Sequence, residues 1–317
     1  MYRKLNKCTG TKVAYIEEIK KEEIDLIYTW VDSNNVIWKE KKSKAQQLFQ
    51  GYIEKIRFPN NIKPDLELET SLLLTLKNLK WIRHIYIVTM RPQIPSCLYN
   101  NDLLKSVFYS GKLKIIHHDQ IGIPLTFNSS VIECYLHKIP HLSDNFLYLN
   151  DDFFILQPVT YSYFFQNQKP LVITNAKYIE SRLPKYVLSM YSKAMKRTLY
   201  LQKNINNYCI KDHSIPYTMN KKFCEKIYSK YENEIIENNK NIFRSEKDFL
   251  FFIMVLNEGL AAAEFLILKR SPFQYKFFNN EKLNENFEKY TFICLNNMDD
   301  SRITEEIQKL KNLYVSN

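Results

Sequence analysis

Glycine is scarce, with 5 residues in a chain of 317. No G-x-G-x-x-G fingerprint and no G-x-x-x-x-G-K loop occurs. A nucleotide bound here must therefore be held by side chains and a metal ion, not by a glycine-rich cradle. The same scarcity argues against a compact all-β protein, which needs many tight turns. The 6 cysteines (Cys8, Cys97, Cys134, Cys209, Cys224 and Cys294) show no C-x-x-C or other metal-ligand spacing. They read as free thiols in a reducing compartment. No window approaches the roughly 20 apolar residues of a membrane span. The opening MYRKLNKCTGTK has no apolar signal core. These absences lead us to expect a cytoplasmic protein, with peripheral contact at the inner face of the membrane left open.

What is present is charge and aromatic bulk. Lys and Arg number 45 against 34 Asp and Glu, a net charge of +11. That surplus suits an anionic partner such as a nucleotide, phosphosugar, phospholipid headgroup or nucleic acid. It equally suits a soluble protein from a Lys- and Asn-rich proteome. With 45% hydrophobic and 14% aromatic residues, the chain can fill a core. Its length allows one large α/β domain or two modest ones.

The chain is organised around Asn145–Pro158, NFLYLNDDFFILQP. Apolar residues run on both sides of Asn150-Asp151-Asp152 without a helical stripe, which predicts one strand over 146–156 buried on both faces. Two adjacent carboxylates repel each other and are costly when dry. At the carboxyl end of a strand in an open α/β sheet they lie where ligands bind. Asp151 and Asp152 then face a divalent metal and a phosphorylated substrate. The alternative, a strand followed by a solvated Asx turn, stays open on the dipeptide alone.

Around this stretch the pattern alternates. IDLIYTWVD (Ile24–Asp32) reads as a strand ending in a polar group, with Asp32 either at a ligand or in a turn. Asp25 sits at the far end, about 20 Å away at ~3.3 Å per residue, and reads as structural. Helices are expected over 37–58 and Leu66–Leu79, then strands at His84–Thr89 and Leu113–His118. This is the rhythm of a parallel sheet. The neighbours His117 and His118 face opposite ways on a strand and read as structural. Asn128, Ser129 or Ser130 would cap a helix over Val131–Lys138. On it, Glu133 and His137 would share a face, as a polar pair more often structural than catalytic. Tyr178–Tyr200 carries Lys177, Arg182, Lys185, Lys193, Lys196 and Arg197 among apolar residues. Such a segment suits a membrane surface, a polyanionic acceptor or plain solvent. Ser245 and Asp248 read as a cap for an apolar helix over Phe249–Gly259. Thr291–Asn297 reads as a last strand, and Arg302–Leu313 as a closing helix. The expected division is a leader at 1–23, an α/β core at 24–158, a helical accessory region at 159–240 and the remainder of the core at 241–317.

Several blocks together resemble one family. IDLIYTWVD resembles the first conserved block of the Stealth proteins. Glu67–Pro95, containing WIRHIYIVT, and Pro124–Asp152, containing PLTFNSSVIE and LHKIPHLSDNFLYLNDD, resemble the second. DHSIPYTMNKKF with FRSEKD resembles the third, and YTFICLNN the fourth. Four ordered blocks over residues 24–301 are far more specific than any single motif. Stealth proteins are sugar-1-phosphate transferases, bacterial members building phosphodiester-linked surface polysaccharides. A eukaryotic relative is the lysosomal-enzyme N-acetylglucosamine-1-phosphotransferase. The resemblance implies a glycosyltransferase-A-like α/β core, a UDP-sugar donor, a glycan or glycolipid acceptor and Mg²⁺ or Mn²⁺. It places catalysis on Asp152, His213 and Arg244, and the metal on Asp151, Asp152 and Asn297. Substrate or nucleotide contacts are expected at Trp30, Asp32, Asn128, Asn150 and Asn296. Asn297 stands where the family commonly has Asp in Cys-x-Asn-Asp, and an amide is the weaker ligand; Asp299 or Asp300 is a substitute.

The implied reaction is attack of an acceptor hydroxyl on the β-phosphorus of a UDP-sugar, giving a sugar-1-phosphodiester and UMP. His213 or Asp152 is the base toward that hydroxyl. Two rivals are an ordinary metal-dependent glycosyltransferase releasing UDP, and a non-enzymatic polyanion binder. No nucleic-acid motif is visible, so nucleic acid is not an expected partner.

Overall fold

The computed structural model describes residues 23–48, 65–173, 190–202, 216–268, 275–278, 287–295 and 300–315. Among them the strands are β1 (Ile24–Thr29), β2 (Ile82–Thr89), β3 (Leu113–His117), β4 (Asn145–Asn150), β5 (Phe153–Ile155), β6 (Phe165–Gln166), β7 (Lys169–Ile173), β8 (Tyr217–Asn220), β9 (Leu266–Leu268), β10 (Tyr275–Phe278) and β11 (Phe292–Leu295). The helices are α1 (Val36–Leu48), α2 (Leu66–Asn78), α3 (Cys97–Asn100), α4 (Asp102–Tyr109), α5 (Ser129–Glu133), α6 (Met190–Leu201), α7 (Lys221–Lys230), α8 (Glu232–Asn239), α9 (Phe251–Ala261) and α10 (Asp300–Leu310). The main sheet runs β3-β2-β1-β4-β8. Its first four strands are parallel and β8 is antiparallel to β4. The expected α/β class with a mostly parallel sheet is what the chain adopts.

Both faces of the sheet are covered, which is why its strands read as continuous apolar runs. Ile27, Phe146 and Tyr148 pack toward the apolar helix α9 on one side. Leu26, Tyr28, Leu147 and Leu149 pack toward α2 on the other. α2 is pinned to the chain beyond the site. Tyr28 OH lies 2.9 Å from Ser71 Oγ and 2.8 Å from Thr75 Oγ1, and Asn78 Nδ2 donates to Ile155 O at 2.7 Å.

The stretch 146–156 is two strands, not one. β4 ends at Asn150 and β5 begins at Phe153, in a different sheet, antiparallel to β11. The apolar flanks hide the break because both halves are buried, Leu147 and Leu149 of β4 in the same core as Phe153 and Ile155 of β5. Only the polar triplet Asn150-Asp151-Asp152 marks the handover, where Leu295 N donates to Asp152 O at 3.1 Å. The region expected as a helical accessory piece is mainly helical among its described residues, with α6, α7 and α8, and it also supplies β6, β7 and β8, of which β8 extends the main sheet. The helix expected over 131–138 stops at Glu133, and a separate short turn spans Leu136–Lys138.

Candidate active site

Parallel pairing sets Thr29 opposite Asn150, so β1 and β4 end side by side. Tyr148 and Asn150, two apart, share a face. Three side chains meet there. Tyr148 OH donates to Asn150 Oδ1 at 2.7 Å, Thr29 Oγ1 donates to the same oxygen at 3.2 Å, and the two hydroxyls are 3.1 Å apart. With its carbonyl held, Asn150 keeps its amide Nδ2 for a ligand; among the described residues nothing accepts from it. Asp151 follows partly exposed and Asp152 8% exposed, at the mouth of the parallel sheet.

Glu133, the last residue of α5, reaches the same point. Its Oε1 lies 3.4 Å from Tyr148 OH, whose single proton is engaged at the shorter contact with Asn150. Burial pushes the Glu133 carboxyl up from 4.5 to about 7, partly offset by the nearby Arg244 cation and the Tyr148 hydroxyl. A neutral carboxyl is a donor, so protonated Glu133 donates to Tyr148 where the carboxylate would find only a long, contested bond. Burial, then the charges of Glu133 and Asp151, keep Tyr148 itself well above the ordinary phenol range. Because α5 ends at Glu133, the expected i,i+4 pair does not form. His137 lies instead between Tyr228 and Phe251, its ring centroid 5.3 Å and 5.9 Å from theirs. Burial there lowers its pKa to about 3.

Arg244 enters from the loop before α9, and its Nη2 donates to Ser129 Oγ at 3.0 Å. That loop is fixed by Asn128, which is fully buried. Asn128 Oδ1 caps α5 through Ser130 N, while Nδ2 donates to Asp248 Oδ2 at 2.9 Å and to the carbonyls of Asn241 and Phe243 at 3.2 and 3.3 Å. The position expected to touch substrate is thus occupied in holding the Arg244 loop against α5. Asp248 takes part in the same clamp, accepting from Ser245 N at 2.8 Å. It does not cap α9; that helix begins at Phe251, where Leu250 N donates to Thr198 Oγ1 at 2.8 Å.

Asp32 lies partly exposed beyond β1. Its Oδ1 accepts from Asn34 N at 2.7 Å, an Asx turn, and Gln93 bridges its backbone N–H and C=O at 3.1 and 2.8 Å. Trp30 is buried, its N–H bonded to Val88 O at 3.0 Å. His213, Asn296, Asn297 and Asp299 lie outside the described residues. His213 is four residues before Tyr217, whose ring stacks on Tyr148 at 5.9 Å, and Asn296 directly follows Leu295, bonded to Asp152 O. Glu133 is the residue that sequence reading undervalued. The signal was an acid between Val131-Ile132 and Cys134, on what proved to be the sheet side of a short helix.

Among the described residues no three His, Cys, Asp or Glu side chains form a metal-binding cluster. Asp151 and Asp152 are what this part of the site offers. Mg²⁺ in phosphate-handling sites commonly uses one or two carboxylates and completes its shell with phosphate oxygens and water. The donor set fits such a cation. Among the described residues no helix is long and apolar enough to cross a membrane.

Comparison with known proteins gives the following. The profile of Stealth protein conserved region 2 matches residues 64–173. The capsular polysaccharide phosphotransferase LcbA of Aeromonas hydrophila is 31% identical over 279 residues, covering 81% of this chain and 73% of LcbA. The capsular polysaccharide phosphotransferase fcs1 of Haemophilus influenzae is 35% identical over 233 residues, covering 71% of this chain and 62% of that protein. The match to the latter thus takes in under two thirds of its length. Among solved structures, the galactosyltransferase LgtC, in complex with donor and acceptor sugar analogues, superposes with a TM-score of 0.46 at 11% identity, covering 91% of this chain and 95% of LgtC.

Proposed function

The chain belongs to the Stealth family, and on that footing we propose that it is a sugar-1-phosphate transferase. It moves a hexose-1-phosphate, such as N-acetylhexosamine-1-phosphate, from a UDP-sugar to a sugar hydroxyl of a surface or capsular polysaccharide. The observation that carries the reading is the convergence of Asn150, Asp151 and the Glu133–Tyr148 pair with Arg244 at the carboxyl ends of β1 and β4, with Asp152 next in the chain. Asp151 and Arg244 both act on that pair through their charge.

In the reaction the acceptor oxygen bonds to the β-phosphorus, the bond from that phosphorus to the UMP oxygen breaks, and the hydroxyl proton passes to a base. The sugar's anomeric C–O bond is untouched. Phosphoryl transfer depends on positioning and on neutralising phosphate oxygens. Arg244 offers a planar fork for two such oxygens, and its setting on Ser129 and the Asn128–Asp248 clamp fixes where that fork points. A Mg²⁺ or Mn²⁺ ion on Asp151 and Asp152 would supply further neutralisation of phosphate charge. Asn150 Nδ2 is a neutral donor toward the substrate. The base is His213, four residues before Tyr217, or Asp152; the pH profiles of His213→Gln and Asp152→Asn separate them.

The test is product identification with a panel of UDP-sugars, glycan acceptors and Mg²⁺ or Mn²⁺. UMP together with a new glycan phosphodiester is expected. UDP release would assign the protein to ordinary glycosyl transfer. The proposed reaction is placed in the cytoplasm, where UDP-sugars are available, with peripheral contact at the inner face of the membrane as a further part of the proposal.

A further inference from the structure

We propose that the outward face of α6 is a binding surface for an anionic, phosphodiester-containing glycan, the growing acceptor chain. The inference rests on the phosphodiester-forming reading above, whose product gains one negative charge with each sugar-phosphate added. From Met190 to Gln202 the sequence MYSKAMKRTLYLQ has three cations and no acid. At about 100° per residue, Lys193, Lys196, Arg197 and Tyr200 fall within about 100° of arc, on a strip about 10 Å long. The opposite side of the helix is buried: Ala194, Met195, Thr198 and Gln202 face inward. Lys196 is exposed and Tyr200 is 66% exposed. Arg197 is half-buried, and its Nε is shielded from solvent without meeting an acceptor among the described residues. A guanidinium shielded in this way and paired with no carboxylate among the described residues is set for an external anion, to which charge-assisted hydrogen bonds are strong.

Two further observations tie this strip to the active site. The helix is fixed on α9, with Thr198 Oγ1 accepting from Leu250 N at 2.8 Å and Gln202 Nε2 donating to Met254 O at 2.9 Å. Lys193 pairs with Glu246, two residues beyond Arg244 in the same loop. The cationic strip therefore begins at the loop that presents Arg244 and leads away from it. A bilayer is the poorer occupant. Interfacial helices bury Leu, Phe or Trp, and this strip presents one tyrosine and three cations; the helix's fully buried apolar residues, Ala194 and Met195, already lie in the core that includes α9.

The test uses the full chain and three probes: fluorescently labelled poly(glycerol phosphate), a flexible phosphodiester polymer; neutral dextran; and vesicles with about one third anionic lipid. Wild type is expected to bind poly(glycerol phosphate), more weakly as salt rises, and to leave dextran unbound. Lys196→Glu combined with Arg197→Gln should weaken that binding about tenfold or more, the loss expected for two charge-assisted contacts. Its circular dichroism and melting temperature should match wild type. Lys196→Glu alone, at an exposed position, should show a smaller loss in the same direction and serves if the double variant does not fold. Unchanged polymer binding in the variants overturns the proposal, as does binding to vesicles without binding to the polymer. UMP release with a short, uncharged acceptor is measured in parallel. It should be unaltered in the variants, and its absence in wild type would count against the transfer reaction while leaving the binding result to stand alone.

Discussion

Two carboxylates at opposite ends of the main sheet, Asp25 on β1 and Glu133 at the end of α5, are treated in opposite ways. Asp25, at the amino end of β1, is fully buried and accepts from Arg83 Nε at 2.9 Å, Arg83 Nη2 at 2.7 Å, His84 N at 3.2 Å and Ser143 N at 2.8 Å. Arg83 is held charged well above its ordinary range by that carboxylate. Glu133, at the carboxyl end, has one long contact to a tyrosine hydroxyl and a cation nearby, and its pKa rises to about 7. A carboxylate surrounded by donors fastens the fold. One left short of donors stores a proton near neutral pH, which is useful where phosphate charge must be met and is costly elsewhere. The amino edge of the sheet is thus built for stability, and in the proposed reaction the carboxyl edge does the chemistry.

The comparison can be broken by mutation. The largest effect belongs to the carboxyl edge: Asp152→Asn should cut turnover by about a thousandfold or more, the scale of losing a main charge-positioning group, with melting unchanged within a few degrees. Retained turnover would remove Asp152 from the reaction. Asp25→Asn should do the reverse. Arg83 keeps Glu23, but the donors gathered on Asp25 lose their charged acceptor, which should destabilise the protein by about 3 kcal/mol, read by urea unfolding, while any folded fraction turns over normally. Glu133→Gln comes next, and its effect depends on pH. The unfolded chain releases this proton near 4.5 and the fold holds it to about 7. Stability from this group is therefore full below 4.5 and falls as pH rises to 7, by on the order of 3 kcal/mol. The glutamine variant should lose that slope. The smallest effect is at the exposed Lys222–Asp144 pair, 2.7 Å apart. Lys222→Ala should leave the urea midpoint unchanged within its measuring error, and a resolvable shift would mean surface pairs matter here more than the contrast between the two carboxylates implies.

Much of the scaffold was legible in the sequence because it is local. Val, Ile and aromatic runs marked β1, β2 and β3, and Leu spacing marked α2. Asp25 was assigned a structural role from its distance to the strand's ligand end, and its four donors agree. What escaped depends on partners far along the chain. The break at Asp151-Asp152 is invisible in an apolar run because both halves are buried, largely in one shared core, and only their strand partners differ, β1 for one and β11 for the other. Asn128 looks like a cap and is one, but its burial comes from residues 241–248, which no local pattern connects to it. Glu133 was paired with His137 by helical spacing, and that failed because α5 is one turn long. Arg244 came from the family resemblance, since a lone arginine in a loop has no signature of its own.

The most direct test of phosphoryl transfer at this edge follows the bridging oxygen. A UDP-sugar labelled with oxygen-18 between the anomeric carbon and the β-phosphorus is turned over with acceptor, and both products are weighed by mass spectrometry. Cleavage between the β-phosphorus and UMP predicts the label in the glycan phosphodiester, with unlabelled UMP. Label leaving with the nucleotide as UDP would mean that the anomeric bond breaks, and would contradict the account.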